Sequence, residues 1–302
     1  MRAVLVDASD EYDAIVRRLL RPDDPDIRVH RDPNVTSDQF PDVLGDAAIA
    51  MIDHTDLPTD IARQCKALRH VVFLGTGARS YMDVEELAEL GINVHTIKGY
   101  GDIAVAECAM ALMWAGARDL SQMDRQIRKS VWKPTEGVQL SGKTLGLIGF
   151  GGIASAMAGM ARGIGMQVLA WNRTPKEQEG VRFVALETLL AESDVVSMHL
   201  LLTDDTRGFL SRKRLALMRR GAILINTARG ALVDEDAMID ALVSGQLRHA
   251  GLDVYAHEPL PAGHPLTGLP NVTLSAHAAF LTPEASENLI SAALDHCRRL
   301  AQ

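Results

Sequence analysis

Three segments in the second half of the chain contain side chains that can bind an anion or carry a proton. Arg229 lies in "INTARG", Glu258 in "AHEPLP" and His277 in "TLSAHAA". Each segment begins with or follows an apolar run that predicts a strand. Taken singly, the arginine is typical of a surface turn and the histidine of a packed structural residue. Their shared position at strand ends indicates that they belong to one site.

Brought together, these side chains would make an acid–base site for a small organic acid. An imidazole exchanges a proton with a substrate oxygen near neutral pH, and a carboxylate partner fixes its tautomer and favours its protonated form. A guanidinium holds a carboxylate through two parallel hydrogen bonds. The set Arg229, Glu258 and His277 therefore predicts catalysis on a 2-oxo or 2-hydroxy acid.

A glycine-rich turn predicts a dinucleotide site. The stretch "GLIGFGGIASAM" reads as a strand, then Gly149-x-Gly151-x-x-Ala154, then a helix. Gly149 permits the tight turn, Gly151 lets the backbone approach a pyrophosphate, and Ala154 lets the helix pack on the strand. The free N–H groups of the helix N-terminus favour phosphate. A glycine-rich packing turn is the alternative, and the second strand "QVLAW" at the expected distance favours the dinucleotide.

The elements that must position these residues alternate between strand and helix. Apolar runs such as "RAVLVD" and "HVVFLG" alternate with helical patterns such as "EYDAIVRRLL" over the first hundred residues. After a long helical stretch over 103–132, the alternation restarts at "KTLGLIGF". This rhythm predicts parallel sheets covered by helices on both faces.

Composition narrows the class of protein. Of the 302 residues, 47% are hydrophobic and 4% aromatic, and the net charge is −8. The negative charge argues against a nucleic-acid or membrane-surface partner, and no apolar run is long enough to span a bilayer. Three separated cysteines without metal-ligand spacing predict reduced thiols and no metal. We therefore expect a soluble cytoplasmic protein.

Together the motifs resemble the D-isomer-specific 2-hydroxyacid dehydrogenase family. The similar stretches are "GFGGIA", "SDVVSMHLLLTDDTRG", "LMRRGAILINTARGALVDEDAMIDAL", "AGLDVYAHEPLPAGHPL", "NVTLSAHAA", "GTGARSYMDVEEL" and "GYGDIAVAE". The resemblance implies an α/β fold with two doubly wound parallel-sheet domains, a Rossmann cofactor domain being inserted into a flavodoxin-like substrate domain. The substrate domain would comprise residues 1–98 and 279–302, and the cofactor domain residues 99–278.

The resemblance also implies a role for each motif residue. Arg229 would bind the substrate carboxylate and polarise the carbonyl, His277 would be the acid–base residue, and Glu258 its partner. Backbone N–H groups of Thr76 and Gly77 would also bind the substrate carboxylate. The residues expected at the cofactor, with Asp253 near the nicotinamide, are Gly149, Gly151, Gly152, Ile153, Asn172, Arg173, Thr174, Thr227 and Asp253.

The end of the second strand, "VLAWNRTP" (168–175), indicates the cofactor. Asn172 lies where family members that prefer NAD carry an aspartate, about where a carboxylate grips the adenosine ribose. Asparagine lacks the charge that would repel a 2′-phosphate, and Arg173 can pair with one. We therefore expect a preference for NADP(H) over NAD(H).

Three positions depart from the family pattern. Ala276 and Leu201 lie where the family usually or often has proline, and Gly101 where it often has asparagine. These departures bear on the substrate more than on the chemistry. The charged region 118–135 resembles the family's dimerisation arm and implies a homodimer.

The expected function is transfer of a hydride between the nicotinamide of NADP(H) and C2 of a small 2-oxo or D-2-hydroxy acid. Glyoxylate, hydroxypyruvate, bulkier 2-oxo acids and phosphoglycerate stay open as substrates. The alternative is a dinucleotide-sensing, corepressor-like binding protein, because some relatives act in that way. The complete set Arg229, Glu258 and His277 favours the enzyme.

Overall fold

The computed structural model describes residues 1–174 and 176–301, while Pro175, at the end of the expected polar turn, and Gln302 lie outside the described residues. The strands are β1 (Arg2–Leu5), β2 (Asp26–Val29), β3 (Ile49–Ile52), β4 (His70–Phe73), β5 (Asn93–Thr96), β6 (Thr144–Ile148), β7 (Gln167–Trp171), β8 (Arg182–Phe183), β9 (Val195–Met198), β10 (Ala222–Asn226), β11 (Leu247–Leu252) and β12 (Val272–Leu274). The α-helices are α1 (Asp10–Leu19), α2 (Phe40–Leu44), α3 (Thr59–Ala62), α4 (Val84–Glu89), α5 (Asp102–Ala117), α6 (Leu120–Arg128), α7 (Gly152–Gly163), α8 (Leu186–Glu192), α9 (Arg212–Leu217), α10 (Glu235–Val243), α11 (Pro265–Gly268) and α12 (Pro283–Leu300). The strands form two parallel sheets with interleaved helices, so the predicted α/β class is confirmed.

The first compact unit consists of Met1–Gly101 and Leu281–Gln302. Its five-stranded sheet has the flavodoxin-like order β2-β1-β3-β4-β5. Every residue of the central strand β3, "IAMI", is buried, as expected where helices cover both faces of a sheet. Helix α12 is amphipathic, and its Leu289 and Leu294 belong to the same buried cluster as Leu5 of β1.

The second compact unit is Asp102–Phe280, built round a seven-stranded sheet. The order β12-β11-β10-β9-β6-β7-β8 is that of a doubly wound Rossmann sheet with one additional strand. The strand order reverses between β6 and β9, and ligands of such sheets bind outside the carboxyl ends of the strands at this point. The residues expected at the cofactor follow the carboxyl ends of β6, β7, β10 and β11.

The compact units meet along the chain at residues 101/102 and 280/281. The expected domain boundaries were 98/99 and 278/279, a few residues away. The assignment of the substrate to the first unit and of the cofactor to the second stays a prediction.

The long helical stretch expected over 103–132 is divided into two helices. Helix α5 ends at Ala117, Asp119 adopts a left-handed conformation with φ 51°, and α6 ends at Arg128. Arg248 of β11 donates a hydrogen bond to the Asp119 carboxylate at 2.8 Å and fixes the interruption. Beyond α6 the chain leaves helical structure, and Trp132 is 88% exposed.

The described residues were compared with the requirements of a membrane-spanning helix and of a metal site. Within residues 1–174 and 176–301, the helices lack the length and apolar character to cross a membrane. In the same ranges, His, Cys, Asp and Glu side chains do not gather in groups of three that could hold a metal ion. Cys65, Cys108 and Cys297 are free thiols.

Candidate active site

His277 and Glu258 form a direct pair on the loops that follow β12 and β11. Nδ1 of His277 lies 2.6 Å from Oε2 of Glu258, and the other carboxylate oxygen accepts the N–H of Tyr255 at 2.9 Å. The two side chains are 31% and 34% exposed, so solutes can reach both. Nε2 of the imidazole makes no hydrogen bond with any other described residue, which leaves it available to a substrate oxygen.

The charge state of Glu258 suits this pairing. Burial acts to raise the pKa of its carboxyl group, but the hydrogen bonds from His277 and Tyr255, with the charges of His277 and Arg229, outweigh burial. The pKa of Glu258 therefore lies below its ordinary value, and the group is ionised at neutral pH. An ionised carboxylate can only accept hydrogen bonds, so the imidazole donates to it from Nδ1 and the ring is held in this orientation.

Asp253 fixes the loop that carries His277. Its side chain is fully buried. Oδ1 accepts hydrogen bonds from Ser275 Oγ at 2.6 Å and from the N–H of Ala278 at 3.0 Å, and Oδ2 accepts the N–H of Ala279 at 2.9 Å. The backbone carbonyl of Asp253 accepts the N–H of His277 at 2.8 Å. The carboxylate thus acts as a positioning group for the acid–base residue, and its expected contact with the cofactor stays a prediction.

His277 itself has a strained backbone. Its φ of 52° lies in the left-handed region, which few residues other than glycine adopt and which costs about 1–2 kcal/mol. The hydrogen bonds from its own N–H and from Ala278 to Asp253 hold the chain in this conformation. Strain that is maintained by neighbouring groups is typical of functional loops.

Arg229 lies in the turn after β10, packed on the segment that leads to Glu258. The Asn226 side chain donates a hydrogen bond to the Arg229 carbonyl at 2.9 Å. A Cβ atom added to Gly230 would lie 1.9 Å from the carbonyl carbon of Tyr255, so only glycine permits this approach. The charge of Arg229 contributes to the lowered pKa of Glu258. The structure therefore brings Arg229, Glu258 and His277 together.

Thr76 and Gly77 follow β4 in the first unit. Thr76 is exposed, and Gly77 precedes a short 3₁₀ turn over Ala78–Ser80. Neither backbone N–H donates a hydrogen bond to another residue of the described chain. Two free N–H groups at the carboxyl end of a parallel strand are suited to an anion such as a carboxylate.

The glycine turn after β6 has the geometry of a dinucleotide cradle. Gly149 has φ 88°, a conformation that L side chains rarely adopt, and its N–H donates to the carbonyl of Trp171 at 2.8 Å. A Cβ atom added to Gly151 would meet nothing within 4 Å, so the space above the turn is open. Helix α7 begins at Gly152, with Ile153 in its first turn, and its free N–H groups face the phosphate position of such sheets.

Two buried polar atoms near this edge lack a partner. Oγ1 of Thr227, directly after β10, and Nε2 of His199, directly after β9, have no hydrogen bond within the described chain. Burial lowers the pKa of His199 to about 4, so its imidazole is neutral. Buried polar groups are nearly always satisfied in proteins, and orphaned ones indicate a ligand or an ordered water. The open turn and these two atoms fit a dinucleotide with polar groups.

The residues after β7 join the same turn. Asn172 accepts the N–H of Phe150 on Oδ1 at 3.1 Å, and its Nδ2 donates to the carbonyl of Thr174 at 2.7 Å. Asn172 thereby ties the end of β7 to the glycine turn. Arg173 is exposed, and its guanidinium pairs with no other described side chain.

Lys176 is a second cation at this position that the sequence-based prediction missed. Its Nζ donates a hydrogen bond to the carbonyl of Phe150, within the glycine turn, at 2.6 Å. Its position four residues after Asn172 in the same loop was the available signal, but only the fold shows that the side chain returns to the turn. Arg173 and Lys176 both place positive charge near the end of β7.

Comparison with known proteins decides the family. Residues 110–279 match the model of the D-isomer specific 2-hydroxyacid dehydrogenase NAD binding domain. A glyoxylate reductase of Aeropyrum pernix is 40% identical over 253 residues, which cover 77% of this chain and 75% of that protein. The chain belongs to the D-isomer specific 2-hydroxyacid dehydrogenase family. The prediction of an NAD(P)-dependent enzyme of this family is confirmed.

Two further proteins are similar to this chain over most of their length. A hydroxypyruvate reductase of Thermotoga maritima is 38% identical over 241 residues, 78% of each protein. The structure of an acyclic imino acid reductase in complex with NADPH and D-Arg superposes with a TM-score of 0.83 at 29% identity, covering 96% of this chain and 94% of that one. The proteins to which this chain is similar therefore differ in the substrates that their names give.

Gly230→Ala tests whether the Arg229 turn must pack against the segment leading to Glu258. Because its Cβ would lie 1.9 Å from the Tyr255 backbone, we expect the variant to lose about 1–3 kcal/mol of folding free energy and most of its activity. Urea unfolding and steady-state kinetics measure both. Gly159→Ala on α7 is the matched control: nothing lies within 4 Å of its Cβ, so stability should stay equal or rise by about 0.5–1 kcal/mol. Parental activity in Gly230→Ala would contradict the required packing.

Proposed function

We propose that this chain is an NADP(H)-preferring reductase of small 2-oxo acids in which His277 supplies the proton. The proposal is carried by the 2.6 Å contact between Nδ1 of His277 and Oε2 of Glu258, with the charge of Arg229 beside them. A histidine–carboxylate pair that solutes can reach, next to an arginine, is suited to proton transfer to a carboxylate-bearing substrate. Glyoxylate and hydroxypyruvate are the first candidates, because the relatives named above bear these substrates in their names.

The residues divide the reaction between them. A bound reduced nicotinamide would supply the hydride for C2 of the 2-oxo acid. Arg229 would bind the substrate carboxylate, and its charge would polarise the carbonyl. The part expected of the Thr76 and Gly77 N–H groups stays a prediction. His277 protonates the carbonyl oxygen through Nε2, and Glu258 stabilises the imidazolium before that transfer. In the opposite direction the neutral imidazole takes the proton from the hydroxyl group.

The preference for NADP(H) is supported by the loop after β7. Asn172 brings no charge that would repel a 2′-phosphate, and its side chain is occupied in holding the turn. Arg173 is exposed and Lys176 lies at the glycine turn, so two cations are available to a 2′-phosphate. Gly149, Gly151, Gly152 and Ile153 would hold the pyrophosphate, with Thr227 near the nicotinamide half.

Assembly and location complete the proposal. We propose a homodimer formed through the region 118–135, which exposes apolar side chains that a monomer leaves in water. Leu120 and Ile127 are 51% and 52% exposed, and Trp132 is 88% exposed. The proposed location is the cytoplasm, in keeping with the three free thiols.

Turnover with a panel of 2-oxo acids tests the proposed activity. We expect the purified protein to oxidise NADPH with glyoxylate or hydroxypyruvate, followed by the loss of nicotinamide absorbance. His277→Asn should lower kcat/KM by about 10²- to 10⁴-fold, because the proton donor is removed. NADPH binding by the variant, measured by fluorescence, serves as the control for folding. Tight NADPH binding by the parent without turnover on any acid would instead identify a dinucleotide-sensing protein.

Cofactor choice is tested by the ratio of kcat/KM values for NADPH and NADH. We expect the parent to favour NADPH, and Arg173→Ala or Lys176→Ala to reduce the ratio about ten- to a hundredfold, because a charge-assisted hydrogen bond contributes about 1.5–3 kcal/mol. Lys213→Ala removes an exposed charge on α9 and should leave the ratio unchanged. Equal efficiency with both cofactors in the parent would refute the preference.

The pH profile of Glu258→Gln tests the partner of the histidine. The pKa of Glu258 lies below its ordinary value, so its carboxylate is ionised at neutral pH. Reduction requires a proton on the imidazole. Reductive kcat/KM should therefore be high at low pH and fall as pH rises, and the oxidative profile should run in the opposite direction. Glutamine keeps the shape but removes the negative charge, so the falling limb should move to lower pH. Coinciding limbs in the parent and the variant would show that Glu258 does not act on His277.

A further inference from the structure

The carboxylate of Asp102 lies directly against the first residue of α7. A Cβ atom added to Gly152 would lie 1.7 Å from Oδ2 and 2.6 Å from Cγ of Asp102. The space in which residue 152 would carry a side chain is thus filled by a carboxylate from the first residue of α5. Both residues belong to the second unit, and Gly152 is one of the residues expected at the pyrophosphate.

No hydrogen bond or ion pair within the described chain accounts for the position of the Asp102 carboxylate. Asp102 has no hydrogen bond or ion pair with the rest of the described chain, and no side-chain cap of α5 involves it. An acidic residue in the first turn of a helix interacts favourably with the dipole of that helix. That effect accounts for an aspartate at the start of α5, but not for its contact with the glycine turn of another helix.

The carboxylate of Asp102 and a bound pyrophosphate would both lie at the N-terminus of α7. The free N–H groups and partial positive charge at the start of α7 attract anions, whether carboxylate or phosphate. Two negative groups that lie within a few ångströms of each other repel, and the repulsion is removed when one of them takes up a proton. Burial raises the pKa of the Asp102 carboxyl group above its ordinary value, which makes proton uptake easier.

We propose that Asp102 sets the affinity and the pH dependence of dinucleotide binding, because its carboxylate opposes the pyrophosphate at the N-terminus of α7 until it is neutralised. The proposal rests on the proposed function, since it needs a dinucleotide at the glycine turn. Asp102 is in this view an affinity-determining residue of the cofactor site and takes no part in the acid–base step.

Other charged groups near the turn do not duplicate this effect. Glu107 lies further along α5 and is exposed, and Arg162, at the far end of α7, donates to the carbonyl of Glu179 at 2.8 Å. Lys176 donates a hydrogen bond to the carbonyl of Phe150 and does not contact Asp102 through any hydrogen bond or ion pair. The pKa of His199 is lowered to about 4, so this imidazole stays neutral above that pH. Within this set, Asp102 is the carboxyl group that lies against the glycine turn and whose pKa is raised by burial.

Calorimetric titration of NADPH into the whole protein tests the proposal. Asp102→Asn keeps the shape but removes the charge, and we expect it to bind NADPH about tenfold more tightly than the parent near neutral pH. The advantage should shrink as the pH falls, because Asp102 of the parent then takes up its proton. In buffers of different ionisation enthalpy, the parent should take up protons on binding at mildly acidic pH, and Asp102→Asn should take up fewer.

Glu107→Gln is the matched control, because it removes one carboxylate from the same helix away from the turn. It should bind NADPH and take up protons as the parent does. Asp102→Ser removes the same charge with a smaller side chain and replaces Asp102→Asn if that variant does not fold. NADPH binding that is equal in the parent and the Asp102 variants at every pH would overturn this proposal alone. Absence of NADPH binding from all proteins would overturn the proposed function together with it.

Discussion

Asp253 has no exposed surface, and its carboxylate accepts hydrogen bonds from Ser275, Ala278 and Ala279. A buried carboxylate is unfavourable unless its oxygens are hydrogen-bonded, so the aspartate and the loop require each other. The same loop places His277 in a left-handed conformation and directs its Nδ1 at Glu258. The geometry of the acid–base pair therefore depends on a residue that lies beneath it and faces no solvent.

The first unit contains a similar arrangement. Asp7 follows β1, is almost fully buried, and accepts the backbone N–H groups of Asp53, His54 and Thr55. In a parallel sheet, the loops beyond the strand ends lose the partners that the ladder provides, while their backbone N–H groups still require acceptors. One carboxylate can serve several of them. This constraint accounts for a buried aspartate at a strand end in both sheets.

Sequence patterns predicted the structural features that residue type and local spacing determine. The two rounds of strand and helix, the glycine turn with Gly149 at positive φ, and the motifs of Arg229 and His277 follow from residue type and spacing. The left-handed break at Asp119 was missed, because the helical pattern continues across it. The hydrogen bond from Arg248 to the Asp119 carboxylate comes from a strand that is distant in sequence. Strand β8 has two residues, too few for any periodicity.

The side chains that complete the site were hidden for the same reason. Lys176 reaches the carbonyl of Phe150 across 26 positions of sequence, and Asp102 packs on Gly152 across fifty. Asp253 was singled out by its motif, but its hydrogen bonds to residues 275–279 are visible only when β11 and β12 are paired. Contacts of this kind depend on the register of the sheet and on helix packing, which single-sequence patterns do not encode.

In the proposed mechanism, Glu258 accepts the Nδ1–H of His277 and so leaves Nε2 to the substrate. The ¹⁵N chemical shifts of the His277 imidazole test it most directly, in histidine-labelled protein with the signals assigned by His277→Gln. At a pH where the ring is neutral, we expect the chemical shift of a protonated nitrogen at Nδ1 and of an unprotonated nitrogen at Nε2. A neutral ring that carries its proton on Nε2 would contradict this role of Glu258, because Nδ1 would then have no proton to donate to the carboxylate.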